Sequence, residues 1–115
     1  MKYKFTEIPR VFTVGSNDHI SISDFGQIHL DPNEQVTFIM DDEFEYDVAR
    51  KDWGFYATPS LNGRLKSQGF KSALVKNSKA QFYIMLVHSS KLKSFDDYCK
   101  NESQVVVQWL DELNS

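Results

Sequence analysis

Three histidines, His19, His29 and His88, are the only neutral nitrogen ligands in this 115-residue chain, and no two stand at the H-x-H or H-x-x-x-H spacing of a metal motif. A metal centre would have to gather them from three separate segments, and surface or partly buried histidines are the simpler expectation. Asp41, Asp42, Glu43, Glu45 and Asp47 form an acidic run whose oxygens suit a hard cation, yet the run lacks the glycine and ligand spacing of an EF-hand loop. Its alternation with apolar residues predicts a solvated hairpin instead. Cys99 would be a nucleophile only beside a base, and its place in an apolar stripe predicts packing. There is no G-x-S-x-G, no Walker loop and no G-x-G-x-x-G, so hydrolase, phosphate-loop and dinucleotide classes gain no support. Neither a cofactor nor a resident metal is expected.

The stretch Trp53-Gly54-Phe55-Tyr56-Ala57-Thr58-Pro59-Ser60-Leu61-Asn62-Gly63-Arg64-Leu65 mixes aromatic rings, a turn and hydrogen-bonding side chains. Aromatic faces can stack on the apolar side of a pyranose. Asn, Ser and Arg can address hydroxyls or, bidentately, a phosphate. On this reading Trp53 and Tyr56 stack on a sugar while Ser60, Asn62 and Arg64 bind its polar groups. The competing reading makes the aromatics core or edge residues and leaves Ser60–Gly63 only to turn the chain.

The elements that must position these groups belong to a chain of ordinary globular composition, 41% hydrophobic and 25% charged, which sets aside disorder and fibrous repeats. The length suits a single domain, 1–115, with a β-rich body over 1–88 and a helical C-terminal segment over 89–115. A net charge of -3 with scattered Lys and Arg lacks the basic footprint of a nucleic-acid binder. One cysteine precludes an internal disulfide and fits a reducing compartment. No segment approaches the ~18 apolar residues of a membrane span, and no signal-peptide run opens the chain, so a cytoplasmic location and no membrane partner are expected.

Short β-like runs broken by turn residues dominate to about residue 88. The clearest is Glu43–Ala49, where Phe44, Tyr46 and Val48 alternate with acidic residues that should face water. Val36–Met40 precedes it, and Asp41-Asp42 predicts a tight antiparallel hairpin. Further strands are expected at Val11–Val14, His19–Ser23, Gln27–Leu30, Trp53–Ala57, Phe70–Val75 and Gln81–Val87. The last is apolar on both faces and reads as a central strand. Asp31-Pro32-Asn33-Glu34 and Asn77-Ser78-Lys79 carry turn chemistry, and Asn62-Gly63 predicts a type I′ hairpin. Ser94 with Asp97 predicts a helix start. Phe95, Tyr98, Cys99, Val106, Trp109, Leu110 and Leu113 make one apolar stripe at helical spacing, unless Ser103 caps a second, shorter helix.

The order of a turn at Asp31-Pro32-Asn33-Glu34-Gln35, a strand, then Trp53-Gly54-Phe55-Tyr56-Ala57-Thr58-Pro59 and a further apolar strand resembles a cupin jelly roll. More narrowly, Tyr46 to about Val87 is similar to the second half of small cupin nucleotide-sugar ketoisomerases of surface-polysaccharide pathways. The resemblance covers barely a third of the chain. It implies an antiparallel β-sandwich and a sugar or nucleotide-sugar ligand. The family's paired metal histidines and its acid–base histidine pair have no match here, so His29 is the remaining acid–base candidate, its ordinary pKa lying near neutrality. Two functions are therefore carried forward. One is a carbohydrate or nucleotide-sugar binder, an accessory or isomerase-like factor in surface-glycan synthesis. The other is a homodimeric protein–protein interaction module that uses exposed aromatic surface or the Trp109 helix. A metalloenzyme built on the three histidines is a third.

Overall fold

The computed structural model describes residues 1–113 and is mainly β, with three antiparallel sheets and a C-terminal helix. The chain divides into two compact units at Thr58–Pro59, inside the stretch that composition reads as one β-rich body.

In the first unit β1 (Lys2–Val14) and β2 (Ile20–His29) form a long hairpin. The two short runs expected at 19–23 and 27–30 belong to this one strand. Its partner reaches back to Lys2, where the sequence shows no unbroken alternation because the register slips between Phe5 and Arg10. Five steps along β1 there match two along β2, from Phe5↔Gly26 to Arg10↔Asp24. An odd net insertion reverses which side chains face which way. Tyr3 and Phe5 before the bulge thereby share a face with Phe12 and Val14 after it, and with Ile22 and Ile28 across the ladder.

The second sheet is a meander of β3 (Glu34–Met40), β4 (Phe44–Lys51) and β5 (Gly54–Ala57). Asp41 and Asp42 both take positive φ, 57° and 52°, and the Glu43 N–H closes the turn on the Met40 carbonyl at 3.2 Å, as the hairpin reading expects. Val36↔Val48 and Phe38↔Tyr46 are apolar pairs on one face, which Phe55 of β5 extends. On the opposite face, expected to be acidic and wet, Glu45 is exposed but Asp47 is buried. Asp47 sits directly across from Thr37, whose hydroxyl donates to its carboxylate at 2.6 Å.

The second unit starts with a single helical turn, α1 (Arg64–Ser67), followed by β6 (Phe70–Lys76), β7 (Phe82–His88), α2 (Leu92–Asn101) and β8 (Val105–Trp109). Asn62-Gly63 does not form the expected type I′ hairpin. Gly63 has φ −114°, Ser60 Oγ accepts the Arg64 N–H at 3.0 Å, and the chain enters α1. Gly69, φ +92°, closes that turn with its N–H on the Lys66 carbonyl. The sheet order is β7-β6-β8, so Phe82–Val87 is an edge strand and not the central one. The apolar run does not place the strand inside: Phe82, Tyr83 and Ile84 are exposed, and β6 takes the centre because a third strand pairs on its far side.

That third strand lies where a continuing helix is expected. α2 ends in a Schellman motif: Gln104 N–H reaches the Cys99 carbonyl at 2.8 Å, Ser103 N–H reaches Lys100 at 3.4 Å, and Ser103 has φ +53°. Beyond this reversal Val105-Val106-Val107 extends, since three β-branched residues favour a strand over a helix. The stripe of apolar residues is thus divided, with Phe95 and Cys99 on the helix and Val106 and Trp109 on the strand. The Phe95 and Trp109 rings meet at 6.0 Å. The helix also begins before Ser94, through a 3₁₀ turn at Ser89–Lys91 whose Ser90 N–H is accepted by His88 Nδ1. The buried apolar residues Leu65, Phe70, Ala73, Val75, Val87 and Cys99 all lie in this second unit.

Candidate functional site

The first unit has two apolar sheet faces and, from Met1 to Thr58, not one buried apolar side chain. Both faces line a single open groove of about 670 Å³, with Phe5, Phe12 and Ile22 on one side and Val36, Phe38 and Phe55 on the other. Phe5, Phe38 and Phe55 keep 58%, 52% and 72% of their surface exposed. Contiguous open apolar surface of this kind leaves unfavourable water contact uncompensated, which makes the groove the candidate site.

The groove is nearly free of charge. Asp24 reaches its wall, and the Gly26 N–H at 3.0 Å, then the Arg10 guanidinium at 3.0 Å, hold the Asp24 carboxyl below its ordinary range. Arg10 also lies 4.9 Å over the Phe12 ring. Gly26 is required here. It has φ +145°, it faces Phe5 across the ladder, and a Cβ would collide with the Lys4 carbonyl oxygen and press on Phe5. The bulge opposite is what turns Tyr3 and Phe5 toward the same side as Phe12.

The residues singled out by sequence lie elsewhere. Trp53 sits in the β4–β5 turn and Tyr56 on β5, 68% and 48% exposed. Tyr56 pairs with Ala49 on the face opposite Phe55. Ser60, Asn62 and Arg64 belong to the second unit, where the Ser60 hydroxyl is engaged at the start of α1. None of these five lines the groove. His29 is exposed at the end of β2, with Lys2 as its cross-strand neighbour. Among the described residues no three His, Cys, Asp or Glu side chains gather as a metal site.

The other two histidines are held by local structure. His19 Nδ1 contacts the Ser16 carbonyl within the β1–β2 connection. His88 Nδ1 accepts from the Ser90 N–H, so its Nε2–H donates to the Gln68 carbonyl at 3.0 Å, joining the end of β7 to the end of α1. Cys99 is buried, and burial followed by the nearby Asp96 charge pushes its thiol up, away from the nucleophilic form. Among the described residues no helix is long and apolar enough to cross a membrane.

Comparison with known protein families, curated proteins and solved structures finds no match to this chain. The groove thus stands on its own geometry. Its residues escaped the sequence reading because the alternation of Tyr3, Phe5, Phe12 and Val14 is broken by the bulge. The signal within reach was the local alternation of Tyr3 with Phe5 in β1 and of Val36 with Phe38 in β3.

Proposed function

We propose that this protein is an interaction module whose first unit docks the apolar surface of a protein partner between its two sheets. The observation that carries this reading is the groove itself, lined by phenylalanines from both sheets and left unburied. A two-stranded sheet and a short meander have little stability of their own in water, and covering their apolar faces supplies what they lack. An apolar wall with one neutralised carboxylate gives few partners to sugar hydroxyls and many to aromatic or aliphatic side chains.

A hydrophobic dye tests the reading. Dilute protein should bind a naphthalene-sulfonate probe with enhanced emission, and the double substitution Phe38→Asp with Phe55→Asp should abolish the signal while the near-ultraviolet signature of Trp109 in the second unit persists. Dye binding unchanged in that variant would refute the assignment.

The exposure of Trp53 and Tyr56 favours a second reading, a carbohydrate or nucleotide-sugar binder in surface-glycan synthesis with a cupin-like jelly-roll ancestry. In it the two rings stack on the sugar, Ser60, Asn62 and Arg64 supply polar contacts, and His29 serves as acid or base. Quenching of Trp53 fluorescence by a panel of nucleotide-sugars, lost in Trp53→Phe, supports it; no response across the panel removes it.

A further inference from the structure

We infer that Asn62 is a site of spontaneous deamidation, its side-chain amide being displaced by the backbone nitrogen of Gly63. Asn62-Gly63 makes no hairpin, and a different constraint keeps the glycine there. A Cβ at this position would strike the Ser60 hydroxyl oxygen, which is fixed because it accepts the Arg64 N–H at 3.0 Å. The turn into α1 therefore requires a residue without a side chain directly after the asparagine, and that same lack leaves the Gly63 nitrogen open to Asn62 Cγ. The Gly63 N–H meets the Ser60 carbonyl at 3.4 Å, longer than the usual ~2.7–3.2 Å of such a bond, so it is loosely held. Asn62 itself is exposed to water, and its side chain makes no hydrogen bond among the described residues.

The reaction balances with water alone. The Gly63 nitrogen gives up its proton and attacks Asn62 Cγ, the new C–N bond closes a succinimide ring, and Nδ2 leaves as ammonia. Water opening the ring at Cγ leaves aspartate. Water opening it at the main-chain carbonyl leaves isoaspartate, in which the chain runs through Cβ and Cγ and is longer by a methylene. That longer chain must fit a turn in which Ser60 accepts the N–H groups of Gly63, Arg64 and Leu65, and Leu65 is fully buried. Aspartate adds only a charge at an exposed position. Other asparagines are better held. Asn77 Oδ1 accepts the N–H groups of Lys79 at 3.0 Å and Gln81 at 2.9 Å, while its Nδ2 donates to Gln81 Oε1 at 2.8 Å. Asn33 Oδ1 accepts from Lys51 Nζ at 2.6 Å. The residues that follow these two, Ser78 and Glu34, both carry side chains.

Holding the full chain in mildly alkaline buffer at physiological temperature and mapping its tryptic peptides by mass tests the inference. Cleavage after Lys51 and Arg64 releases a fragment, Asp52–Arg64, in which Asn62 is the sole asparagine. It should gain about one dalton, the difference between an amide and an acid. It should also separate into an aspartate and an isoaspartate form, the latter accepting a methyl group from an isoaspartate-specific methyltransferase. Conversion should run at least about tenfold faster than at Asn33 or Asn77, a barrier lower by about 1.4 kcal/mol. Asn62→Gln should abolish the gain, since glutamine would have to close a larger ring. The aged chain should unfold at a lower urea concentration than the fresh one, and Asn62→Asp should not, because only the longer backbone disturbs Ser60 and Leu65. A fragment that keeps its mass in the native chain overturns the inference, whether or not it converts in denaturant. Conversion at Asn77 as fast as at Asn62 overturns the role given to Gly63. Aged and fresh chains of equal stability overturn the strain assigned to isoaspartate.

Discussion

Replacing Asp111 with Ala should destabilise the second unit by about 2–3 kcal/mol, and the structure says why. β8 leaves the sheet after the pair Ala73↔Trp109, so the next N–H of β6 on that side, from fully buried Ser72, has no strand carbonyl to meet. Asp111, 4% exposed, fills the gap: its Oδ1 accepts the Ser72 N–H at 2.9 Å while Oδ2 lies 3.5 Å from Lys71 Nζ. A hydrogen bond to a charged acceptor contributes about 1.5–3 kcal/mol, and the orphaned buried donor costs about 1–3 kcal/mol, two views of one loss. Asp111→Asn keeps an oxygen for Ser72 but gives up the attraction to Lys71, a loss nearer ~1 kcal/mol for a pair partly open to solvent. Urea unfolding followed through Trp109 in a Trp53→Phe background would read both. With a slope of about 1–2 kcal/mol per molar, the Ala variant should shift the midpoint by one molar or more. pH gives a second signature. Desolvation pushes the Asp111 carboxyl up, but the Ser72 and Asp111 N–H groups and Lys71 together outweigh it and hold the carboxyl below its ordinary 3.8. A depressed folded pKa means stabilisation that is complete above 3.8 and is lost as pH falls through the folded value. Asp111→Asn should lack that acid-side loss. Equal midpoints for Ala and wild type would refute the ladder-completing role.

Ser103→Gly should stabilise the chain by about 0.5–1 kcal/mol, since glycine removes the Cβ cost of φ +53° at the Schellman position; thermal unfolding reads it, and a destabilised variant would mean that the Ser103 side chain has a compensating role. Gly69→Ala should destabilise by about 1–3 kcal/mol, because φ is +92° and the new methyl would crowd the His88 ring, as chemical denaturation would show. Cys99 should resist thiol reagents in the native protein at neutral pH and react fully in denaturant, since it is buried and its pKa is raised; prompt native labelling would contradict its packing role. Leu65→Ala, emptying a fully buried site, should cost about 2–5 kcal/mol in the same unfolding assay.

Much of the architecture was legible in local pattern. The alternation in Glu43–Ala49 and the two aspartates before it specify a hairpin through neighbours one and two residues apart, and β3 and β4 appear where that pattern puts them. The same holds for Phe70–Val75 and Gln81–Val87 as strands, and for an amphipathic helix around Phe95 and Cys99. Identity of each element follows from side-chain period and backbone preference, which are properties of a few adjacent residues.

Partners, by contrast, are non-local. Whether Phe82–Val87 lies at the centre or the edge depends on Val105–Trp109 crossing to the far side of β6, and Ser103 reverses the chain there through a left-handed conformation that serine seldom adopts. Whether Asp47 faces water depends on Thr37 opposite it, and whether Phe5 faces Phe12 depends on a bulge that reverses one strand's alternation midway. The mainly β character was therefore written in the sequence, while the open groove of the first unit was decided only when the sheets took their places. An apolar side chain states that it needs covering, but which surface covers it is a property of the assembled fold.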